Sequence, residues 1–280
     1  MKINITADTT CDLPKELVEK YNITLSPLTI IKNGENFKDN VTITPNEIFA
    51  HVAAGGDLCS TAAGNIADYQ DLFAQFANEY DGILHISLGS GFSSSYQNAT
   101  LAAEEFDNVR VVDSQNLSTG QGLIVWHACE VAENYDNMDT LHADIQAYAS
   151  KVEASFVLDQ LQYMVKGGRC SAAAALGANL LNLKPCIEVK DGKMGVVKKY
   201  RGNYTKCLTN YVKDRLDGRE DIDYGHLFIT YTTVEDTALQ AVRDNVAQLG
   251  QFQQIVECQA GCTVSCHCGP ETLGILFVRK

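Results

Sequence analysis

Serines at positions 90, 93, 94 and 95 crowd the stretch that follows a short apolar run, and hydroxyls at that spacing can hold an oxyanion. The run, Gly82 to Leu88, is short and β-branched enough for a buried strand, and Gly89, Ser90 and Gly91 break it into a loop. A helix is expected from about Ser94. Its first backbone N–H groups lack internal acceptors and would point at the loop together with the hydroxyls of Ser90, Ser93, Ser94 and Ser95. The stretch holds no Lys or Arg, so a polyphosphate would be poorly neutralised there while a single carboxylate would be well served. A plain Ser-rich helix cap accounts for the same residues.

Other chemistries fit less well. Gly89-Ser90-Gly91 after a strand, with Asp113 ending the next strand about 20 residues on, imitates a dinucleotide fingerprint. Ser94 stands where the third glycine belongs, so a nucleotide-binding enzyme using the Gly89–Ser94 loop and Asp113 is kept as the alternative. No phosphate-binding GxxxxGK[ST] motif occurs, and no G-x-S-x-G elbow surrounds Ser93. Cys258, Cys262, Cys266, His267 and Cys268 invite a zinc reading, but Cys-x-x-Cys pairs are absent and buried free thiols fit better. No metal site and no complete catalytic constellation is expected.

These residues need a scaffold, and 280 residues with 45% hydrophobic content can bury a large core. The net charge of −13 argues against nucleic acid and anionic membrane surfaces. No apolar run suggests a leader or a spanning helix, so a cytoplasmic protein with reduced cysteines is expected. From Lys2 to Val152, strands alternate with helices, which predicts an N-terminal doubly wound parallel sheet over residues 1–155, with a turn-rich excursion near 24–43. Residues 156–280 read as a smaller α+β domain. There a helix runs from about Ser171 toward Pro185, a hairpin turns at Asp191-Gly192, and His267 lies in a polar turn after a strand-like Thr263–Ser265.

The chain resembles the DegV family nearly end to end. The resemblance is carried by ITADTTCDLP, CSTAAGNIADY, GFSSSYQNA, VVDSQNLSTGQGLIV, VKGGRCSAAAALGANLLNLKP, KKYRGNY and VSCHCGPETLGILF. It implies a fatty-acid-binding protein similar to the acyl-carrying subunit of bacterial fatty acid kinase, with a long-chain fatty acid and a kinase as partners, and no cofactor. Motif by motif, Thr61, Ser93 and His267 fall on the family's head-group ligands, with Ser60, Ser94 and Ser95 beside them. Arg169 and Arg201 fall on arginines near the head group or the face shown to the kinase. The acyl chain is implied to lie in a tunnel between the two domains. Two departures stand out: Thr61-Ala62-Ala63-Gly64 replaces a common Thr-Ser-Gln-Pro, and Ser94 replaces a glycine.

Overall fold

The computed structural model describes residues 1–176 and 183–280. The first half runs β1 (Ile3–Asp8), α1 (Lys15–Lys20), β2 (Thr24–Ser26), β3 (Thr29–Lys32), β4 (Glu35–Lys38), α2 (Pro45–Ala53), β5 (Ser60–Ala62) and α3 (Ile66–Phe76). It continues through β6 (Gly82–Ser87), α4 (Ser95–Ala103), β7 (Val109–Asp113), α5 (Ser118–Val131) and α6 (Met138–Ala149). The strands β2-β1-β6-β7 form a sheet that is parallel throughout. Every residue of β6 is buried, as expected of a strand covered by helices on both faces. One covering layer holds α3 and α4, whose Tyr69, Phe73 and Ala99 pack with Ile83 and Val111.

Pro27 divides the expected extended run 23–32, because proline cannot donate to a ladder. The residues before it pair with β1, and those after it turn away into an antiparallel sheet of order β4-β3-β5. Asn33 and Gly34, both at positive φ, make the tight turn of that excursion. Sequence reading takes the segment at Ser60 for a loop. Three residues are too short to show periodicity, yet they add β5 to this small sheet.

The second half contains β8 (Val152–Leu158), α7 (Leu161–Gly167), α8 (Ser171–Ala174), β9 (Leu183–Lys190), β10 (Lys193–Arg201), α9 (Tyr204–Leu216) and β11 (Ile222–Tyr231). It closes with α10 (Asp236–Leu249), β12 (Gln254–Gln259), α11 (Cys262–Cys268) and β13 (Thr272–Arg279). These strands form a mixed sheet of order β10-β9-β8-β13-β11-β12, backed by α9 and α10. Residue 155, where the sequence suggests a division, lies inside β8. The helix expected from Ser171 is seen as α8, and the rest of that expectation falls on 177–182, outside the described residues.

Helix α5 joins the two layers. It is buried on every side from Ser118 to Trp126 and packs on β1 and β6 of one sheet and on β8, β11 and β13 of the other. Leu123, Ile124 and Val125 lie in a single apolar cluster that reaches from Ile5 and Ile86 to Phe228 and Leu276. The functional cavities lie at the N-terminal end of this helix, where Leu117 precedes its first turn.

Candidate head-group site and apolar channel

His267 sits on a helix, not in a turn, which corrects the sequence expectation for Thr263–Ser265. Locally, Thr-Val-Ser favours a strand. What fixes the helix comes from far along the chain: Asp12 Oδ1 accepts from Gly261 N–H at 2.9 Å, and Asp39 Oδ1 accepts from Cys262 N–H at 2.9 Å. Asp39 Oδ2 also accepts from the Thr263 hydroxyl at 2.6 Å and from Thr9 at 3.1 Å. The first orphan donors of α11 are therefore satisfied by two buried carboxyls. Burial pushes the Asp12 carboxyl up to about 8, against the pull of the Ser118 hydroxyl and with the nearby Asp39 adding to the rise. Asp39 is also raised by burial, though the bonds from Thr263 and Thr9 act the other way.

Helix periodicity then gives α11 two faces. Thr263, Val264, His267 and Cys268 line a cavity, while Cys262 and Cys266 pack into an apolar cluster with Ile30, Ile43 and Ile48. Opposite the first face stands β5. Its alternation sends Thr61 toward the helix, and Thr61 Oγ1 and His267 Nε2 are hydrogen-bonded at 2.8 Å. Burial drives the His267 pKa down to about 4, and the Arg169 guanidinium adds to the fall, so the ring is neutral at pH 7. Its Nδ1 is buried without a partner among the described residues. A Cβ on Gly167 would collide with that nitrogen, so only glycine lets the end of α7 come this close.

The structure brings Thr61, Ser93, Arg169 and His267 to one cavity. Ser93 accepts from the Ser95 N–H at 3.1 Å, starting α4, and its hydroxyl meets the Ser95 hydroxyl at 2.9 Å. Ser95 is fully buried beneath it, whereas Ser60 and Ser94 are exposed and do not line the cavity. Arg201 ends β10 in solvent, away from the cavity lining. Arg169 is exposed at the mouth and donates from Nη1 to the Gly167 carbonyl at 2.7 Å. Sequence reading missed Thr10 and Thr263 as lining residues, although the polar turn after β1 is where an open α/β sheet places ligands.

The Gly89–Ser94 loop is not free to hold a nucleotide. Both carboxylate oxygens of Asp113, the acid that would take a ribose, accept from within the chain: Oδ1 from Ser90 N–H at 3.0 Å and Gln115 N–H at 2.9 Å, Oδ2 from the Ser90 hydroxyl at 2.5 Å. Gly91 also lies against the Gly192 carbonyl of the β9–β10 turn, with no room even for a Cβ. The alternative reading therefore loses its two recognition elements. Among the described residues, no three His, Cys, Asp or Glu side chains converge as ligands of one ion.

Two cavities meet behind the Thr61–His267 pair. The head-group cavity is walled by Leu28, Leu88, Phe92, Met164 and Met194 besides the polar residues. The second runs inward between α5 and the mixed sheet, against Ala154, Phe156, Val189 and Leu276. Leu117, Val264 and Cys268 line both, so the two cavities adjoin across shared walls. Counting their open mouths, they hold about 540 Å³ and about 390 Å³. The distal hydroxyls are already used: Thr230 bonds Thr119 at 2.5 Å, Thr232 donates to the Gly269 carbonyl at 2.8 Å, and Thr272 donates to the Cys268 carbonyl at 3.0 Å. The inner end is thus apolar in effect.

Residues 2–280 match the family model described as "Uncharacterised protein, DegV family". A DegV domain-containing protein of Clostridium acetobutylicum is 29% identical over 283 residues, covering 100% of this chain and 99% of that one. Among solved structures, a fatty-acid-binding DegV family protein from Thermus thermophilus superposes with a TM-score of 0.89 at 28% identity, covering all of both chains. A fatty-acid-binding DegV family protein from Streptococcus agalactiae gives 0.85 at 25% identity, over 100% of this chain and 99% of that one.

Proposed function

The chain belongs to the DegV family, and from that premise we propose that it binds a long-chain fatty acid, with the carboxylate at Thr61, Ser93 and His267 and the acyl chain in the apolar channel. The observation that carries this reading is that the cavity holding the Thr61–His267 pair adjoins a second, apolar-walled cavity between α5 and the mixed sheet. Thr61 Oγ1 and His267 Nε2 share a hydrogen bond, and with the Nε2–H tautomer donating, the threonine hydroxyl is left to donate to the acid, while the Ser93 hydroxyl approaches from the start of α4. Arg169 supplies the positive charge at the mouth.

Magnitudes say which part dominates. About 14 methylenes at ~0.8 kcal/mol each offer on the order of 11 kcal/mol before ordering costs, whereas each hydrogen bond to the carboxylate adds roughly 1.5–3 kcal/mol. The chain supplies affinity and the head-group donors supply orientation. On this reading the protein acts as a carrier that holds the acid and presents its carboxyl. It holds the carboxyl near the exposed Arg169, where a cytoplasmic fatty acid kinase can reach it. Among the described residues, no helix is long and apolar enough to cross a membrane.

Calorimetric titration of delipidated protein with butyrate, octanoate, laurate and oleate tests the proposal. Affinity should climb steeply with chain length. Equal affinity for butyrate and oleate would replace the lipid reading by that of a small-carboxylate sensor.

A further inference from the structure

Beyond the inner cavity, along the same seam between the two layers, lies a more polar cleft that holds about 700 Å³ counting its open mouth. Three segments pass from one space to the other within one or two residues. On the loop before α5, Leu117 lines the inner cavity and Asn116 the cleft. On β8, Ala154 lines the inner cavity and Val152 the cleft, two residues apart on one face and hence roughly 7 Å apart at a strand's rise. On β9, Val189 lines both. It stands opposite Ala154 in the β8–β9 ladder, and its side chain is buried in the apolar cluster around α5. The wall between the two spaces is therefore one side chain thick at Val189. Its loop side is tied down, with Gly89 N–H donating to the Asn116 carbonyl at 2.9 Å and Asn116 N–H donating to Ser114 Oγ at 3.2 Å.

We propose that Val189 is the specificity-determining residue at the far end of the site: it stops the ω end of the acyl chain and selects acids with an apolar terminus over ω-hydroxylated ones. The two spaces it divides differ in chemistry. On the inner side Phe156 and Leu276 are apolar, and the hydroxyls of Thr230, Thr232 and Thr272 are engaged within the protein. A terminal methyl is matched there, whereas a terminal hydroxyl is buried without a partner and costs binding. On the outer side the cleft is bordered by Gln115, Lys190, Asp191 and Arg279, the last three exposed. Cutting Val189 back to alanine joins the two, so a longer chain or an ω-hydroxyl passes through to polar side chains and water. Enlarging it to phenylalanine fills the inner end and shortens the chain that fits.

The end-stop rests on the fatty acid reading of the site, while the wall does not. The test titrates delipidated wild type, Val189→Ala and Val189→Phe with saturated acids of increasing length, and with the ω-hydroxy form of the acid each binds best. Wild-type affinity should rise with length and then break, and the ω-hydroxy acid should bind roughly tenfold or more weaker. In Val189→Ala the break should move to longer acids and the ω-hydroxy penalty should shrink to about threefold or less. In Val189→Phe the break should move to shorter acids. A break and a penalty unchanged in the variants would overturn the end-stop, and if Val189→Ala does not fold, an unchanged break in Val189→Phe overturns it alone. A crystal structure of ligand-free Val189→Ala needs no acid: a continuous space is expected, and side chains closing over the gap would overturn the wall. A wild type that binds no acid of any length would overturn the fatty acid reading and the end-stop with it, while joined spaces in Val189→Ala would still uphold the wall.

Discussion

Thr61 and His267 share one hydrogen bond and one cavity wall, so neither can be removed without disturbing the other. Thr61→Val and Ser93→Ala each remove a bond to the charged carboxylate and should weaken oleate binding by roughly 1.5–3 kcal/mol, and His267→Ala, which removes the neutral bond to Thr61, by about 1 kcal/mol. In calorimetry the Thr61→Val/His267→Ala double variant should lose less than the sum of the single losses, because the second change removes a bond already broken. Fully additive losses would show that the two residues act separately. The histidine also makes stability depend on pH. Its pKa of about 4 in the folded protein lies below the value of about 6.5 in an unfolded chain, so the unfolded state takes up the proton first as pH falls. This contribution is whole above about 6.5 and is lost on the way down through about 4, amounting to at most roughly 3 kcal/mol. Urea melts of His267→Gln should be flatter than wild type across that window, and parallel curves would contradict the assignment. These three cavity residues were readable in the sequence only through the family motifs, because nothing local says that residues 61 and 267 meet.

At the scale of elements, α11 is held by carboxyls that reach it from Asp12 and Asp39. That explains why its helix was not legible: seven residues beginning Cys-Thr-Val carry a strand's propensity, and their caps lie more than half the chain away. The β–α alternation of the first half was legible because its apolar runs are long and its capping boxes local, as at Thr44–Glu47, where the threonine and glutamate bond each other's backbone N–H groups. Asp113 shows the opposite failure, a fingerprint acid by spacing that serves to tie down its own loop. Asp39→Ala should destabilise the protein by about 2 kcal/mol and also weaken oleate binding, since α11 carries His267. Stability loss with intact affinity would separate the cap from the site. The Asp12 carboxyl at about 8, above its unfolded value near 3.9, costs stability as pH rises between those values. Asp12→Asn keeps an acceptor for Gly261 and lets the Ser118 hydroxyl, which donates to Asp12 Oδ2, accept from the amide instead, so it should melt higher than wild type at about pH 8 and show no such decline. A lower melting temperature there would contradict the raised pKa.

Across the whole molecule, a helix buried on every side from Ser118 to Trp126 is wedged between a parallel and a mixed sheet, and two adjoining cavities lie at its N-terminal end. The net charge of −13 repels other anions from the surface, while Arg169 offsets it at the mouth. Affinity gained from chain burial, with donors that only orient the acid, suits a protein that must hold its ligand and leave the carboxyl within reach of a partner. Native mass spectrometry of the protein purified from a bacterial host, before and after addition of oleate, tests this most directly. The account predicts one co-purified long-chain acid per chain, or its appearance on adding oleate, with the bound fraction reduced in His267→Ala. A spectrum that stays ligand-free at excess oleate would contradict it.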